Sequence, residues 1–408
     1  MPSKVIEVRG HIIDSLILPR ILDEILNHEG TFEVLDVGIG QRRTDPSCAR
    51  IRVIAPDEEH LDEILAASRD HGAEVAGEGP VQLAQAPRDG VFPEGFYVTT
   101  SYPTEVHLDD QWVPLQPSRM DCGIRVDREA RRAEPVKFAQ VRAGDWIVVG
   151  QQGIHVNPPA RGRERSVFEF MSSEVSSEKP KRAIIREVAD EMRRVREAGQ
   201  KILLVGGPAL VHTGAVPAVV ATIEAGYVDR LFAGNALAVH DIENALYGTS
   251  LGVNLERALA AEEGHENHMR AINRIREAGG IREAVEAGVL QSGIMHACVR
   301  HGVEFVLAGS IRDDGPLPDV ITDVVEAQQR MMALTEGLGI ALMAGTALHS
   351  IATGNLLPST TRIVAVDINP SVITKMADRG SFQTVGLVTD VGLFFEELLT
   401  HLQAEGGD

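Results

Sequence analysis

The chain has 408 residues, a formal net charge of −20 at pH 7 and an apolar content of 44%, but aromatic residues make up only 4%. This length supports two or three domains with cores of their own. The negative charge and the scarcity of aromatic rings argue against a nucleic-acid partner, because phosphates need basic groups and unpaired bases stack on aromatic side chains.

The cysteines and the apolar runs predict a cytoplasmic protein without a membrane span. Cys48, Cys122 and Cys298 are far apart and form no Cys-x-x-Cys pair, so neither a disulfide framework nor a zinc ribbon is indicated. The N-terminus, MPSKVIEVRGHI, lacks an apolar signal core, and no run of 18 apolar residues occurs.

Residues 1–79 predict a ferredoxin-like α+β domain. A strand pattern, VIEVRGHI, precedes a helical pattern that stops at Gly30. Two strand patterns, FEVLDVGIGQ and CARIRVIAP, then flank a polar turn, and an amphipathic helix and a short strand follow. This βαββαβ order is that of ferredoxin-like domains, which bind small molecules or mediate dimers; the fold alone decides neither.

Residues 80–163 predict a small β-rich subdomain, because prolines and short strand patterns dominate. Within it, Cys122 is a candidate nucleophile, although nothing in the sequence lowers its pKa and a buried structural cysteine is the favoured alternative. Arg125 is a candidate for binding a substrate carboxylate through its planar fork, and a surface ion pair is the alternative. Asn157 is a polar candidate near the junction with the next domain.

Residues 164–408 predict a parallel α/β domain of the Rossmann type, because strand patterns repeatedly end in a small-residue turn before a helix. In a parallel sheet these turns share the edge formed by the carboxyl ends of the strands, where ligands bind. The alternative is that small residues simply make tight turns. The candidate cofactor-binding residues in and after these turns are Gly206, Gly207, Pro208, Ala209, Asn235, Ala236, His240, Asp241, Gly309, Ser310, Gly345, Thr346, Ala347, Asp367 and Asn369.

The stretch from Ile340 to Pro370 predicts NAD binding most directly. Two apolar strand patterns flank a turn at Gly345 and a short helix, and Asp367 follows 22 positions after Gly345. In dinucleotide-binding folds an acid about 20 residues after the turn binds the ribose hydroxyls, and it would repel the 2′-phosphate of NADP. The pattern Gly-x-Gly-x-x-Gly is absent, so an ordinary βαβ unit is the alternative.

Several polar residues are candidates for chemistry. Asp241 lies in an apolar strand–helix junction, where a polar group must be hydrogen-bonded or functional. Asp313 and Asp314 follow a strand and could act as a general base or merely cap a helix, and Arg312 could bind a carboxylate.

No metal site is predicted. His265 and His268 miss the His-Glu-x-x-His spacing and are expected to be solvent-exposed. Serine-hydrolase and P-loop motifs are also absent.

The longest motifs carry a family resemblance. VIEVRGHIIDSLILPRILD and FEVLDVGIGQRRTDPSCARI resemble the domain between the two catalytic parts of plant lysine-ketoglutarate reductase/saccharopine dehydrogenase. LLVGGPALVHTGA, FAGNALAVHDIENALYGTSLG, LAGSIRDDGPLPDV and AGTALHSIATGNLLP are similar to the large domain of archaeal-type ornithine cyclodeaminases and to the C-terminal part of cyanobacterial arginine dihydrolase/ornithine cyclodeaminases.

This resemblance implies a Rossmann-type domain similar to that of deoxyhypusine synthase, with NAD as cofactor. It also implies the conversion of L-ornithine into L-proline and ammonia, with NAD recycled. The base would be Asp241, Asp313 or Asp314, and the carboxylate would bind to Arg125 or Arg312. Cyanobacterial members carry an arginine-hydrolysing domain that is expected to have no counterpart here.

The sequence is also compatible with two other functions: another NAD-dependent amino-acid dehydrogenase of the opine or saccharopine type, and a sensor that binds NAD and an amino acid without turnover. A homo-oligomer, either a dimer or a tetramer, is expected in each case.

Overall fold

The computed structural model describes residues 1–10, 12, 17–40, 47–75, 79–100, 102–157, 181–250, 253–254, 259–260, 267–313, 315–378 and 384–404. The chain forms two compact units, Met1–Glu169 and Phe170–Asp408. The division into three domains, with a boundary near residue 79, stays a prediction. Among the described residues, none of the helices combines the length and apolar character needed to cross a bilayer. The cytoplasmic location also stays a prediction.

The first part of the N-terminal unit has the predicted ferredoxin-like fold. Its sheet is antiparallel, with the strand order β2-β3-β1-β4. Ile17, Ile21 and Ile25 recur at helical spacing and are buried, so one face of the first helix packs on the sheet. The elements are β1 (Ser3–Gly10), α1 (Ile17–Asn27), β2 (Thr31–Gly38), β3 (Ser47–Ile54), α2 (Glu58–Asp70) and β4 (Ala73–Val75).

The second part of this unit is β-rich, as predicted. Its strands are β5 (Gln82–Gln85), β6 (Thr104–Leu108), β7 (Gln111–Pro114), β8 (Gly123–Asp127), β9 (Arg132–Val136), β10 (Trp146–Val149) and β11 (Ile154–Val156). Within the described residues they form a four-stranded sheet, β5-β10-β8-β9, and a three-stranded sheet, β11-β6-β7. Val106, Ile124 and Val148 are fully or almost fully buried in the core of this region.

The C-terminal unit contains a parallel sheet of seven strands within the described residues. Its strands are β12 (Lys201–Gly206), β13 (Arg230–Gly234), β17 (Glu304–Ala308), β18 (Val320–Ile321), β19 (Leu338–Ala344), β20 (Arg362–Asp367) and β21 (Thr384–Val388). Three two-residue antiparallel strands lie apart from it: β14 (Thr249–Ser250), β15 (Val253–Asn254) and β16 (Leu259–Ala260). All seven residues of β19 are buried, which is typical of a central strand in a parallel sheet.

Helices cover the sheet. They are α3 (Lys181–Glu197), α4 (Ala209–His212), α5 (Val216–Glu224), α6 (Asn235–Tyr247), α7 (Asn267–Ala278), α8 (Ile281–Glu286), α9 (Ile294–Arg300), α10 (Val324–Ala333), α11 (Ala347–Gly354), α12 (Pro370–Asp378) and α13 (Val391–Gln403). Met331 of α10 and Met376 of α12 share one apolar core with Leu203, Phe232 and Met343 of the strands. Helix α13 packs against both α3 and α5.

The strand order reverses at the centre of the sheet. The order is β18-β17-β13-β12-β19-β20-β21, so the chain runs outward from β12, returns to β19 beside it and then runs outward in the other direction. Read from β21 to β17, this is the order 3-2-1-4-5-6 of dinucleotide-binding sheets, with its two halves exchanged along the chain. The pair β12 and β19 therefore marks the crevice where such sheets bind their ligands.

Candidate functional site

Two glycine turns meet at the carboxyl ends of β12 and β19. The strands pair in parallel up to Gly206 and Ala344, and Gly207 N donates a hydrogen bond of 3.1 Å to Ala344 O. A Cβ on Gly207 would lie 2.2 Å from Gly345 O. A side chain at position 207 is therefore excluded by backbone, and the predicted turn Gly206–Ala209 lies at the crevice.

Gly345 needs to be glycine for two reasons. Its φ is +63°, in the left-handed region that L-residues adopt at a cost. A Cβ there would also lie 2.6 Å from the Ala209 side chain. Its N–H donates to Val366 O at 3.0 Å, which ties the turn to the neighbouring strand β20. The single glycine in this turn thus allows the close backbone approach that several glycines allow in the Gly-x-Gly-x-x-Gly motif of dinucleotide-binding folds.

Helix α11 begins directly after this turn. Thr346 is its N-cap, but the threonine side chain makes no capping hydrogen bond. Ala347 is the first helical residue and is exposed. The first N–H groups of a helix lack intrahelical partners and favour an anion such as a pyrophosphate. The structure therefore brings the predicted residues Gly345, Thr346 and Ala347 to a helix N-terminus at the crevice.

Asp367 ends strand β20, next to the glycine turn. Its Oδ1 accepts a hydrogen bond of 2.8 Å from Asn369 N, and Asn369 Oδ1 accepts one of 3.0 Å from Ser371 N. These two bonds fix the loop that presents the carboxylate. In the order 3-2-1-4-5-6, β20 is the second strand, whose terminal acid faces the adenosine ribose. The residues present therefore fit NAD as a cofactor of this domain.

His349 and Asp313 lie near each other on the other side of the crevice. A Cβ on Gly234, at the end of β13, would lie 2.7 Å from His349 Nε2. Burial lowers the pKa of His349, and the nearby carboxylate of Asp313 opposes that shift. His349 is not among the candidates predicted from the sequence. The signal that could have identified it is its position as a polar residue in the first turn of α11, shortly after Gly345.

The loop after β17 holds Asp313 in place. Asp313 Oδ2 accepts a hydrogen bond of 2.8 Å from Ser310 N, and Arg312 N donates to Ser310 Oγ at 3.2 Å. The Arg312 side chain is exposed. Gly309 N donates to Ile321 O at 2.9 Å and so belongs to the sheet edge. Asp314, the other predicted acid, lies outside the described residues.

Asn235 and Asp241 have structural partners instead of facing the crevice. Asn235 is buried, and its Oδ1 accepts a hydrogen bond of 3.0 Å from Leu317 N. Asp241 is 0% exposed, and its two oxygens accept bonds of 2.8 Å from Ile294 N and Met295 N. Burial raises the pKa of Asp241 to about 6, against the effect of these two N–H donors. This geometry favours a role for Asp241 as the cap of helix α9 and leaves no oxygen turned to a substrate.

His240 belongs to a polar cluster between α6 and α7. Its Nδ1 lies 3.0 Å from Ser250 Oγ, and burial lowers its pKa to about 4, helped by two neighbouring histidines. The prediction that His268 is exposed was wrong: its side chain is 15% exposed and lies 3.4 Å from Glu243. The reason is that α7 packs on α6. His265 lies outside the described residues, and Ala236 is in the first turn of α6.

The candidates in the N-terminal unit are all engaged within their own β-rich region. Cys122 is 3% exposed, burial raises its pKa, and its thiol donates to Met120 O at 3.4 Å. Arg125 forms ion pairs with Glu134 and Asp145 at 2.6 and 3.1 Å. Asn157 Nδ2 donates to Glu105 Oε2 at 3.3 Å. These contacts favour structural roles for the three side chains.

Comparison with protein families matches almost the whole chain. Residues 186–398 match the C-terminal Rossmann-fold region of ArgZ-like arginine dihydrolases, and residues 103–185 match the first C-terminal region of the same proteins. Residues 3–102 match the conserved region of LOR/SDH bifunctional enzymes. The predicted Rossmann-type fold of the C-terminal unit is therefore confirmed.

Individual relatives agree with these matches. The chain is 52% identical over 404 residues to an ornithine cyclodeaminase of Methanocaldococcus jannaschii, covering 98% of this chain and 96% of that protein. The apo structure of the cyanobacterial arginine dihydrolase ArgZ is 39% identical with a TM-score of 0.86, over 98% of this chain and 58% of ArgZ.

A ternary complex of AgrE with ornithine and NAD⁺ is 40% identical with a TM-score of 0.54, over 98% of this chain and 57% of that one. Together with the archaeal relative, this likeness confirms the resemblance noted in the motifs. The chain belongs to the ornithine cyclodeaminase family that includes the C-terminal region of ArgZ-like proteins.

Proposed function

We propose that this protein converts L-ornithine into L-proline and ammonia, with NAD as a recycled cofactor. The observation that carries the proposal is the crevice at the reversal of strand order. There Gly207 and Gly345 bring two backbone turns together, and Asp367 ends the strand whose terminal acid binds the ribose in dinucleotide-binding folds. The relative from M. jannaschii is an ornithine cyclodeaminase, and AgrE forms a complex with ornithine and NAD⁺.

NAD would be held by backbone at its centre and by Asp367 at one end. The N–H groups that begin α11 would face the pyrophosphate. The Asp367 carboxylate would accept hydrogen bonds from the ribose hydroxyls, and its charge would disfavour the 2′-phosphate of NADP. The remaining predicted turn residues, from Gly206 to Ala209 and at Gly309 and Ser310, would line the same edge.

The reaction transforms the substrate in four steps without net oxidation. Loss of a hydride from Cα and a proton from the α-amine gives an imine, which the δ-amine attacks. Ammonia then leaves, and return of the hydride to the cyclic imine gives proline. Bound NAD supplies the reversible hydride acceptor for this sequence.

The residues of the chain must move the proton and orient the substrate. We assign the base to Asp313, because its carboxylate lies at the carboxyl edge of the sheet and is held by Ser310 N. His349, whose pKa is lowered, is neutral at pH 7 and can accept or relay a proton beside it. Arg312 is exposed in the same loop and can bind the substrate carboxylate through its guanidinium fork.

The test is to incubate the purified protein with NAD and ornithine that carries deuterium at Cα and ¹⁵N at the α-amine. Equal amounts of proline and ammonia, without lasting NADH, are expected. The deuterium should remain in proline and the ¹⁵N should leave as ammonia, because the same hydride returns and the α-nitrogen departs. Lasting NADH would instead identify an opine- or saccharopine-type dehydrogenase. NAD binding without any product would favour the sensor.

We also infer that copies of the chain associate through strand β2. This strand lies at the edge of its sheet, and Val34, Leu35 and Val37 on it are 47%, 38% and 39% exposed. An exposed apolar edge strand is a template for pairing with another chain. A dimer or tetramer is expected by light scattering, and Val34→Lys should shift it to smaller species. Val324→Lys, a change at an exposed residue of α10, is the control.

A further inference from the structure

A buried group of metal-ligating side chains lies between helices α6 and α7. His240 and Glu243 are one turn apart on α6, and His268 comes from the first turn of α7. Each offers one ligand atom, and the three ligand atoms all lie within 4.8 Å of one another. Their side chains are 7%, 0% and 15% exposed, respectively. A carboxylate is thus buried between two imidazoles.

The spacing fits a tetrahedral metal ion. Bonds of about 2.0–2.2 Å to nitrogen and oxygen place two ligand atoms of a tetrahedral zinc site roughly 3.3 Å apart. His268 Nδ1 lies 3.4 Å from Glu243 Oε2, and His240 Nδ1 lies 4.0 Å from the same oxygen. The first distance already matches, and the ring of His240 must move closer to complete the site, because the three ligand atoms are up to 4.8 Å apart.

Surrounding hydroxyl and amide groups hold the cluster in place. Thr249 Oγ1 donates a hydrogen bond of 2.9 Å to Glu243 Oε1, and Asn267 Nδ2 donates one of 3.0 Å to the threonine oxygen. Metal ligands are typically oriented by such outer partners, so Glu243 keeps its other oxygen, Oε2, turned toward the histidines. Ser250 Oγ lies 3.0 Å from His240 Nδ1, a contact that an ion on this nitrogen would replace.

One buried nitrogen of the cluster also lacks a hydrogen bond. Within the described residues, His268 Nδ1 makes none, although it is buried and close to Glu243 Oε2. A buried polar atom of this kind calls for an unseen partner. The exposed ring of His212 contacts that of His240, with 4.9 Å between the ring centres, so the cluster reaches the surface.

We propose that His240, Glu243 and His268 bind a divalent first-row transition-metal ion, with Zn²⁺ as the best fit. Two imidazoles and one carboxylate are ligands that zinc accepts, and three protein ligands leave a fourth position for water. The ion balances the buried carboxylate and joins α6 to α7. This site lies outside the proposed NAD-binding residues on β19, α11 and β20, and it stands whether or not ornithine is the substrate.

The test is to treat the full-length protein with a chelator and then titrate it with Zn²⁺ by calorimetry, with the bound metal counted by mass spectrometry. One ion per chain is expected. His268→Ala should weaken binding at least 10-fold, and Thr249→Val, which removes only the outer partner, should weaken it about 10- to 100-fold. Cobalt(II) should give the intense visible absorption of a tetrahedral site.

The control variant is His301→Ala, which removes an exposed histidine outside the cluster and should bind Zn²⁺ like the unmodified protein. Circular dichroism of each variant establishes that it is folded, and because His268 is partly exposed, His268→Ala is expected to fold. The proposal is overturned if the folded protein binds no stoichiometric Zn²⁺. It is equally overturned if His268→Ala and Thr249→Val bind it as tightly as the unmodified chain.

Discussion

Polar side chains have different hydrogen-bond partners in the β-rich region of the N-terminal unit and at the crevice of the C-terminal unit. In the β-rich region, Arg125 and Asn157 have partners on neighbouring strands, and the thiol of Cys122 is buried and bonded within its own loop. At the crevice, Asp313 and Asp367 are fixed by backbone N–H groups of their own loops. Such bonds orient a carboxylate but leave it capacity to accept more.

The difference shows how to separate structural from functional polar residues. A side chain that forms its hydrogen bonds or ion pairs with residues distant in sequence stabilises the fold. A side chain fixed by its own loop, at the carboxyl end of a parallel strand, remains available to a ligand. Asp241 shows that position alone is insufficient, because it follows β13 closely and still caps a distant helix.

The largest expected effect comes from Asp313→Asn. If Asp313 is the base, kcat for proline formation falls about 10²- to 10⁴-fold, since this is the usual contribution of a general base. NAD affinity should be unchanged. Asp323→Asn, at an exposed cap of α10, is the control and should keep full activity. A kcat of Asp313→Asn within threefold of the unmodified enzyme would remove Asp313 from the mechanism.

Replacing the glycine of the central turn should weaken NAD binding about 10- to 100-fold. In Gly345→Ala the new Cβ meets Ala209 and the φ of +63° becomes strained. Gly337→Ala is the matched control: it has φ +75° and open space but precedes β19 at the opposite edge. Gly337→Ala should lose about 1–2 kcal/mol of unfolding free energy from the positive φ alone, and Gly345→Ala should lose more because its Cβ also meets Ala209. Equal NAD affinity in the two, measured by calorimetry, would place the cofactor elsewhere.

Asp367→Asn should weaken NAD binding about 10-fold, because a hydrogen bond to a charged group contributes roughly 1.5–3 kcal/mol and the amide retains part of it. The preference for NAD over NADP should shrink at the same time, since the repulsion of the 2′-phosphate is lost. Both effects are measured by titrating each dinucleotide. An unchanged ratio between the two affinities would contradict the assignment of Asp367 to the ribose.

His349 should make the protein less stable in mild acid. Its pKa in the folded state is lowered from 6.5, so below pH 6.5 the unfolded chain binds more protons than the folded one. The contribution of neutral His349 to the unfolding free energy is complete above pH 6.5 and is lost as the pH falls below that value. In His349→Gln the unfolding free energy should therefore decline less between pH 7 and 5. His301→Gln, at an exposed position, should follow the unmodified protein.

The smallest effect is expected in the N-terminal unit. Cys122→Ala should leave kcat within about twofold, because the thiol is buried and burial raises its pKa, which disfavours the reactive thiolate. A loss of stability of about 1 kcal/mol is expected from the removed contacts. If kcat instead fell 100-fold while the protein stayed folded, Cys122 would be catalytic and the contrast between the two regions would fail.

Local patterns in the sequence predicted most elements of the fold. The strand, turn, helix and strand from Ile340 to Asp367 form β19, α11 and β20 as predicted, because apolar periodicity and a glycine turn act over a few residues. The two-residue strand β18 was missed, since it is too short to show a period. The sequence also did not predict that the two halves of the parallel sheet are exchanged along the chain, because strand neighbours are set by packing between residues distant in sequence.

The candidate site was predictable only where its residues are close in sequence. Gly345 and Asp367 belong to one βαβ unit, so their spacing carried information. The bonds from Ile294 N and Met295 N to Asp241 join residues more than 50 positions apart, and no local pattern encodes them. His268 was predicted to be exposed for the same reason: the carboxylate that it faces, Glu243, lies on another helix.

The exchanged order of the halves also sets when the crevice can form during synthesis. Lys201 pairs with Leu338 and Gly206 with Ala344. The central neighbour of β12 is therefore β19, which exists only after more than 130 further residues have been made. Such distant parallel pairs form slowly. Asp367 emerges later still. NAD can therefore stabilise this protein only after Asp367 has been made, and until β19 exists the apolar flank of β12 lacks its central partner strand.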